Sequence, residues 1–216
     1  MEIIKAEKGY LTILTGKPEM GKSTITVYEC CENLRDGEKV LFFSYEYCQS
    51  IIYNKLISHF KAGWSQLLNL DIVDASDIPL RGLIDLVKAK KGNVDVLYID
   101  YLDLLKKASF PKAKDEAEDL KQIQKICKAL ADLAKELDIP VVLLSQVGAS
   151  SDFEKAVDRL NSFTVDSKNT IKMFMGKGNV INARIDYSDI IHIILVDGYD
   201  LKHFSSLNIK EIYGDR

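Results

Sequence analysis

The run GKPEMGKST, Gly16 to Thr24, matches the pattern G-x-x-x-x-G-K-[ST], and it restricts the fold more than any other stretch of the chain. A loop of this kind needs a strand before it and a helix after it. The apolar run YLTIL (Tyr10 to Leu14) supplies the strand and TITVYECCENL (Thr24 to Leu34) the helix. Gly16 and Gly21 let consecutive backbone N–H groups turn inward on phosphate oxygens, and the start of the following helix favours anionic charge. In that geometry Lys22 reaches the β- and γ-phosphates of a nucleotide and Ser23 holds Mg²⁺. The candidate nucleotide-binding segment is therefore Gly16, Lys17, Pro18, Glu19, Met20, Gly21, Lys22, Ser23 and Thr24. An accidental glycine turn would not carry both flanking elements.

A chain of 216 residues, 47% hydrophobic and 28% charged, has the size and composition of one α/β domain able to bury its own core. A single domain over residues 1–216 is expected. The cysteines Cys30, Cys31, Cys48 and Cys127 show no C-x-x-C spacing, and two are adjacent on one helix, which fits reduced thiols in a cytoplasmic setting and argues against zinc. No signal-peptide core is present, and no apolar stretch approaches the ~18 to 20 residues of a membrane span, so no membrane partner is expected. A net charge of -3 gives no global basic footprint, and any nucleic-acid contact must come from a local patch.

Short apolar runs alternate with longer periodic segments, the pattern of a mostly parallel twisted sheet flanked by helices. Strands are predicted near 10–15, 39–44, 70–73, 94–99, 141–145, 190–196 and 207–213. The clearest helix is Asp115 to Leu137, in which Leu120, Ile123, Cys127, Leu130, Ala134 and Leu137 recur at helical spacing. Asp115 caps its start and Pro140 marks the change to the next strand. A second helix is expected from Leu80 to Lys91. Two loops are predicted, Lys106 to Lys114 and the long stretch from Val147 to about Ile185, and loops of that length inside a compact domain are functional or mobile as a rule.

Hydrolysis needs more than a phosphate cradle. The strand VDVLYIDYLDLL (Val94 to Leu105) ends in Asp100, where a carboxylate can hold Mg²⁺ or its water shell; taken alone it is an acid at a strand end. The strand Lys39 to Tyr47 ends with Glu46 at the edge where parallel sheets gather their chemistry, placed to polarise an attacking water, although a solvated glutamate fits equally well in isolation. The strand Ile139 to Val147 closes on Ser145 and Gln146, and an amide there can bond both a γ-phosphate and a mobile loop; singly, it is also a polar strand end. Asp103 reads as loop or helix start.

In order, GKPEMGKST, FFSYEY, VLYIDYLDLL and KALADLAKELDIPVVLLSQV resemble the ATPase domain of the DnaB-like replicative helicases, members of the RecA-like P-loop superfamily, over roughly residues 10–147. The resemblance implies a RecA-like core with the Gln146 strand between the phosphate-loop strand and the Asp100 strand. It implies ATP and Mg²⁺ as ligands, Lys22 and Ser23 as phosphate and Mg²⁺ residues, Glu46 as catalytic base, Asp100 as the second Mg²⁺ residue and Gln146 as γ-phosphate sensor. It further implies a homo-oligomer, ring or filament, acting on single-stranded DNA.

After Gln146 the chain departs from the family. VGASSDF lacks the arginine that usually follows SQ, and in NIKEIYGDR Ile212 stands where the family places an inter-subunit arginine, with Arg216 four residues on. No N-terminal collar domain is expected. Two function classes stay open: an ATP-driven DNA motor, for which Arg159, Lys168, Lys172, Lys177 and Arg184 are candidate nucleic-acid contacts with Phe163 and Phe174 interleaved for stacking, and a non-translocating nucleotide switch or scaffold. Asp152, Glu154, Asp158 and Asp166 in the same stretch also fit a plain solvated loop. A small-molecule kinase ranks last, since its lid needs clustered arginines.

Overall fold

The computed structural model describes residues 6–16, 22–58 and 64–146, together with the backbone of three later strands at 170–175, 181–188 and 191–195. The elements in chain order are β1 (Leu11–Gly16), α1 (Lys22–Arg35), β2 (Val40–Ser44), α2 (Gln49–Ser58), α3 (Trp64–Leu67), β3 (Leu70–Asp74), α4 (Leu80–Ala89), β4 (Val96–Asp100), α5 (Leu102–Ser109), α6 (Glu116–Leu137), β5 (Val141–Gln146), β6 (Thr170–Met175), β7 (Ile181–Ser188) and β8 (Ile191–Leu195).

Among the described residues these strands form one sheet in the order β3-β2-β4-β5-β1-β8-β7-β6. The pairs from β3 through β8 are parallel, whereas β7 pairs antiparallel with both β8 and β6. β5 lies between β1 and β4, as the resemblance implies. β2 (VLFFS) and β4 (VLYID) are buried at every position. Unbroken apolar strands are what a parallel sheet covered on both faces requires, because neither face meets water.

The core has two halves, one on each side of the sheet. Leu11, Ile13, Leu97, Ile99 and Leu143 pack with Leu83 and Val87 of α4, Leu105 of α5 and Ile123, Ile126 and Leu130 of α6. On the other face Leu14, Phe42, Tyr98 and Leu144 pack with Ile25, Cys30 and Leu34 of α1 and Ile52 and Leu56 of α2. The Phe42 and Tyr98 rings stack at 5.9 Å between centroids. Each such large side chain contributes about 1.5–3 kcal/mol through burial. The buried Tyr98 hydroxyl accepts from Asn33 Nδ2 at 2.9 Å, which offsets part of the cost of enclosing it.

α6 begins where its sequence says. The Asp115 carboxylate accepts from the Glu118 N–H at 2.8 Å, and Glu118 in turn accepts from the Lys114 N–H at 2.8 Å, so the chain entering the helix is fixed from both directions. Ile123, Cys127, Leu130 and Ala134 of the expected stripe are buried, joined by Ile126 and Leu133. The helix stops at Asp138 in the left-handed region (φ 54), ahead of Pro140.

Two expectations are corrected. Lys106 to Ser109 belong to α5 and not to a loop: Ser109 Oγ donates to the Leu105 carbonyl and accepts from the Leu80 N–H, tying the end of α5 to the start of α4. α2, with weak amphipathic patterning, was not anticipated. The stretch from Val147 to Ile185 is no continuous loop, because β6 and the first half of β7 lie in it. The alternation in β7, Ile181, Ala183, Ile185 and Tyr187 against Asn182, Arg184, Asp186 and Ser188, is a strand period. The expected strand at 207–213 falls outside the described residues. Asp103 sits in the first turn of α5.

Candidate functional site

Sheet register assembles the site. All strands from β3 to β8 in the sheet order run the same way, so their C-terminal ends share one edge, and in a parallel sheet that edge faces the helix N-termini. Gly16 closes β1 directly opposite Gln146, the last residue of β5, and Ser44 closes β2 opposite Asp100 of β4. Lys22 opens α1 immediately above this row. Residues far apart in sequence thus meet because their strands pair.

Asp100 is 3% exposed and Lys22 is 9% exposed. Burial pushes the Asp100 carboxyl up to about 6, against the donated hydrogen bond of the Ser23 hydroxyl, which favours its charged form; the nearby Glu46 carboxylate pushes it further up, and the Lys55 and Lys22 ammonium groups pull it down. Burial likewise lowers Lys22, opposed by the charges of Asp100 and Glu46. A lysine, a hydroxyl and two carboxylates therefore sit within electrostatic reach of one another at the sheet edge.

Two backbone devices fix the position of Glu46. Just before it, the Tyr45 N–H donates to the Asp100 carbonyl at 2.7 Å and the Tyr45 hydroxyl donates to the Ile78 carbonyl at 2.9 Å. Just after it, the Tyr47 N–H donates to Ser44 Oγ at 3.1 Å while that hydroxyl donates to the Tyr47 carbonyl at 2.6 Å. The exposed Glu46 side chain projects from this pinned turn, and its charge adds to the effect of burial in raising the neighbouring Tyr47 phenol. Tyr101, joined to Asp100 by a cis peptide, lies close enough to feel the charges of Glu46, Asp103 and Asp100 after the larger effect of its burial.

Of the residues singled out from sequence, Lys22, Ser23, Glu46 and Asp100 come together. Gly16 and Gln146 share the edge by backbone register, and Thr24 lies in the first turn of α1. Lys17, Pro18, Glu19, Met20 and Gly21 fall outside the described residues. Of the nucleic-acid candidates, Lys172 of β6 is the register partner of Arg184 of β7, whereas Arg159, Lys168 and Lys177 fall outside the described residues, as does Phe163. Sequence reasoning missed Tyr47 and Lys55. Tyr47 was visible as the aromatic following Glu46, but Lys55 reaches the site from α2 and carries no local signal.

The donor set suits Mg²⁺. One hydroxyl and one carboxylate are hard oxygen donors, and a magnesium ion bound with phosphates needs few protein ligands. Among the described residues there is no group of three or more His, Cys, Asp or Glu side chains that could hold a metal ion. No helix among them is long and apolar enough to cross a membrane.

Residues 61–160 match the family model for the DnaB-like helicase C-terminal domain. Across 220 aligned residues the chain is 26% identical to the replicative DNA helicase DnaB of Pasteurella multocida, covering 86% of this chain and 46% of that protein. It is 27% identical to the corresponding helicase of Rickettsia felis over 206 residues, covering 76% of this chain and 41% of that one. The chain thus spans less than half the length of these relatives. Among solved structures, a DnaB-like replicative helicase studied with its primase interactions superposes with a TM-score of 0.60 at 16% identity, covering 83% of this chain and 52% of that chain. Another solved ATPase domain gives the same TM-score of 0.60, also at 16% identity, over 83% of this chain and 77% of that one. Motif order, the placement of β5 between β1 and β4, and these matches agree on a RecA-like P-loop ATPase fold, with residues 61–160 similar to the DnaB-like helicase C-terminal domain.

Proposed function

We propose that this chain binds ATP with Mg²⁺ and hydrolyses it, as the ATPase unit of a DnaB-like helicase acting on single-stranded DNA in replication or recombination. The observation that carries the reading is the meeting of Lys22, the Ser23–Asp100 pair and Glu46 at one sheet edge. Lys22, desolvated but still facing two carboxylates, neutralises β- and γ-phosphate oxygens. Ser23 and Asp100 would hold Mg²⁺, which supplies charge neutralisation between the phosphates. Glu46 takes the proton of the attacking water, and Gln146 reads the γ-phosphate from β5.

The same reading makes the chain one domain of a cytoplasmic homo-oligomer, ring or filament, with Lys172 and Arg184 among its DNA contacts. Lys172 and Arg184 are register partners on β6 and β7, which supports a local basic patch as the place where a phosphate backbone would be met. A second reading, a nucleotide switch or scaffold without translocation, draws on Ile212 in place of the family's inter-subunit arginine and on the arginine-free VGASSDF. Binding to single-stranded DNA, measured with and without ATP over a salt series, separates the two. A steep salt dependence that changes with nucleotide supports the motor. ATP turnover with no DNA affinity at low salt rejects it for the switch.

A further inference from the structure

We infer that Tyr45 and Ser109 are positioning residues for ATP hydrolysis: their hydroxyls close a hydrogen-bonded circuit that sets where the backbone of Glu46 stands relative to Asp100. The inference rests on the reading of Glu46 as the water-activating base and of Asp100 as a Mg²⁺ residue.

β2 ends at Ser44, short of Glu46, so strand pairing by itself does not place the base. Asp100, in contrast, is the last residue of β4 and lies in register with Ser44. Tyr45 bridges the gap. Its N–H donates to the Asp100 carbonyl at 2.7 Å, and its hydroxyl, at the end of a side chain that the core encloses, donates to the Ile78 carbonyl at 2.9 Å. Ile78 is itself held. The Ala75 N–H donates to the Ser44 carbonyl at 2.8 Å, and the Ile78 N–H donates to the Ala75 carbonyl at 2.9 Å, so the turn that carries the anchor is tied back to the end of β2.

The other half of the circuit starts from Asp100. α5 begins at Leu102 and ends at Ser109, and the N–H of Leu80, the first residue of α4, donates to Ser109 Oγ at 2.8 Å. Ser109 Oγ in turn donates to the Leu105 carbonyl, so the hydroxyl is engaged as donor and as acceptor. The path from Asp100 through α5, Ser109, Leu80, Ile78 and Tyr45 returns to the Asp100 carbonyl. Its interior is filled, because Tyr45, Leu83, Leu102 and Leu105 are buried in one core cluster with Ile78 and Leu80 packed against it. Lys22, on α1, takes part in none of these bonds. Loosening the circuit therefore moves the base and spares the phosphate grip, and a misplacement of about 1 Å is enough to cost about 10²-fold in rate.

The test is steady-state ATPase kinetics on the full chain and its variants, with ATP affinity measured by calorimetry. Tyr45→Phe keeps the ring in the core and loses only the hydroxyl; kcat should fall about tenfold with KM and ATP affinity within about twofold of wild type. Ser109→Ala leaves the tyrosine ring untouched and should lower kcat in the same way, whereas Ser109→Thr, which keeps the hydroxyl, should retain the wild-type value. The Tyr45→Phe, Ser109→Ala double variant should lose no more than the worse single one, since one broken joint already opens the circuit. In a Glu46→Gln background neither change should lower the residual turnover further, because the group they position is gone. Asp115→Ala, which loosens the start of α6 outside the circuit, should leave kcat unchanged and so separates positioning from general loss of stability. A kcat within about twofold of wild type in both Tyr45→Phe and Ser109→Ala, or losses that persist in full in the Glu46→Gln background, overturns the positioning role while leaving the ATPase reading intact. A wild-type chain without any ATP turnover overturns both.

Discussion

Replacing Asp100 by asparagine separates what the residue costs the fold from what it does for the ligand. The Asp100 carboxyl, buried to 3% exposure, is raised from 3.8 to about 6. At about 1.4 kcal/mol per pH unit this corresponds to about 3 kcal/mol by which the folded state disfavours the charged form. The folded value lies above the unfolded one, so Asp100 contributes its full stability below about pH 4 and loses it as pH rises through about 6. The asparagine side chain stays neutral throughout; the Asp100→Asn variant should therefore gain about 3 kcal/mol relative to wild type between about pH 4 and about pH 7. The added amide NH₂ must find a partner in the same buried place, which returns about 1–2 kcal/mol at every pH. At neutral pH the variant should end about 1–2 kcal/mol more stable, a rise of about 2–8 °C in Tm for a chain of this size. Chemical denaturation across the pH range, in chelator and without nucleotide, measures the difference curve. Adding Mg²⁺ and ATP should raise the wild type's stability more than the variant's, because one of the two metal-binding groups is gone while Lys22 and Ser23 remain. Parallel wild-type and variant curves from about pH 4 to about pH 7 would refute the argument, since they would mean that Asp100 titrates as it does in the unfolded chain.

Lys22→Ala should abolish ATP binding by calorimetry while the protein still unfolds cooperatively, because the lysine serves phosphates and not the core; retained affinity counts against the phosphate-loop assignment. Glu46→Gln should keep ATP binding and lose about 10²-fold or more in turnover, as an amide cannot accept the water's proton, and turnover within about threefold of wild type moves the base elsewhere. Asp115→Ala should cost about 1 kcal/mol in denaturant unfolding through the lost cap of α6, with no change in nucleotide affinity.

Much of this protein was legible from local pattern. The phosphate loop announces itself because it needs particular residue types at particular backbone positions: glycines where N–H groups turn inward, a lysine and a hydroxyl at the helix start. α6 is legible because one apolar stripe and one capping aspartate suffice to specify an amphipathic helix, and Asp115 does cap it through the Glu118 N–H. The strands bearing Glu46, Asp100 and Gln146 are legible as apolar runs ending in polar residues. Their order in the sheet is not, since β2 and β4 are buried on both faces and nothing in either run names its neighbour; that β5 lies between β1 and β4 came from family resemblance and is realised in the pairing. β6 and β7 were hidden for a related reason, as their alternation is short and the segments around them carry glycines and charges. The electrostatics of the site belong wholly to tertiary structure. Asp100 is raised by desolvation, and desolvation depends on what the rest of the chain places around a group. Lys55 reaches the site because α2 packs against β3 at the edge of the sheet. Local patterns encode which elements form, because backbone and side-chain preferences act over a few residues; which side chains meet at the sheet edge is decided only when parallel strands pair and helices close over them.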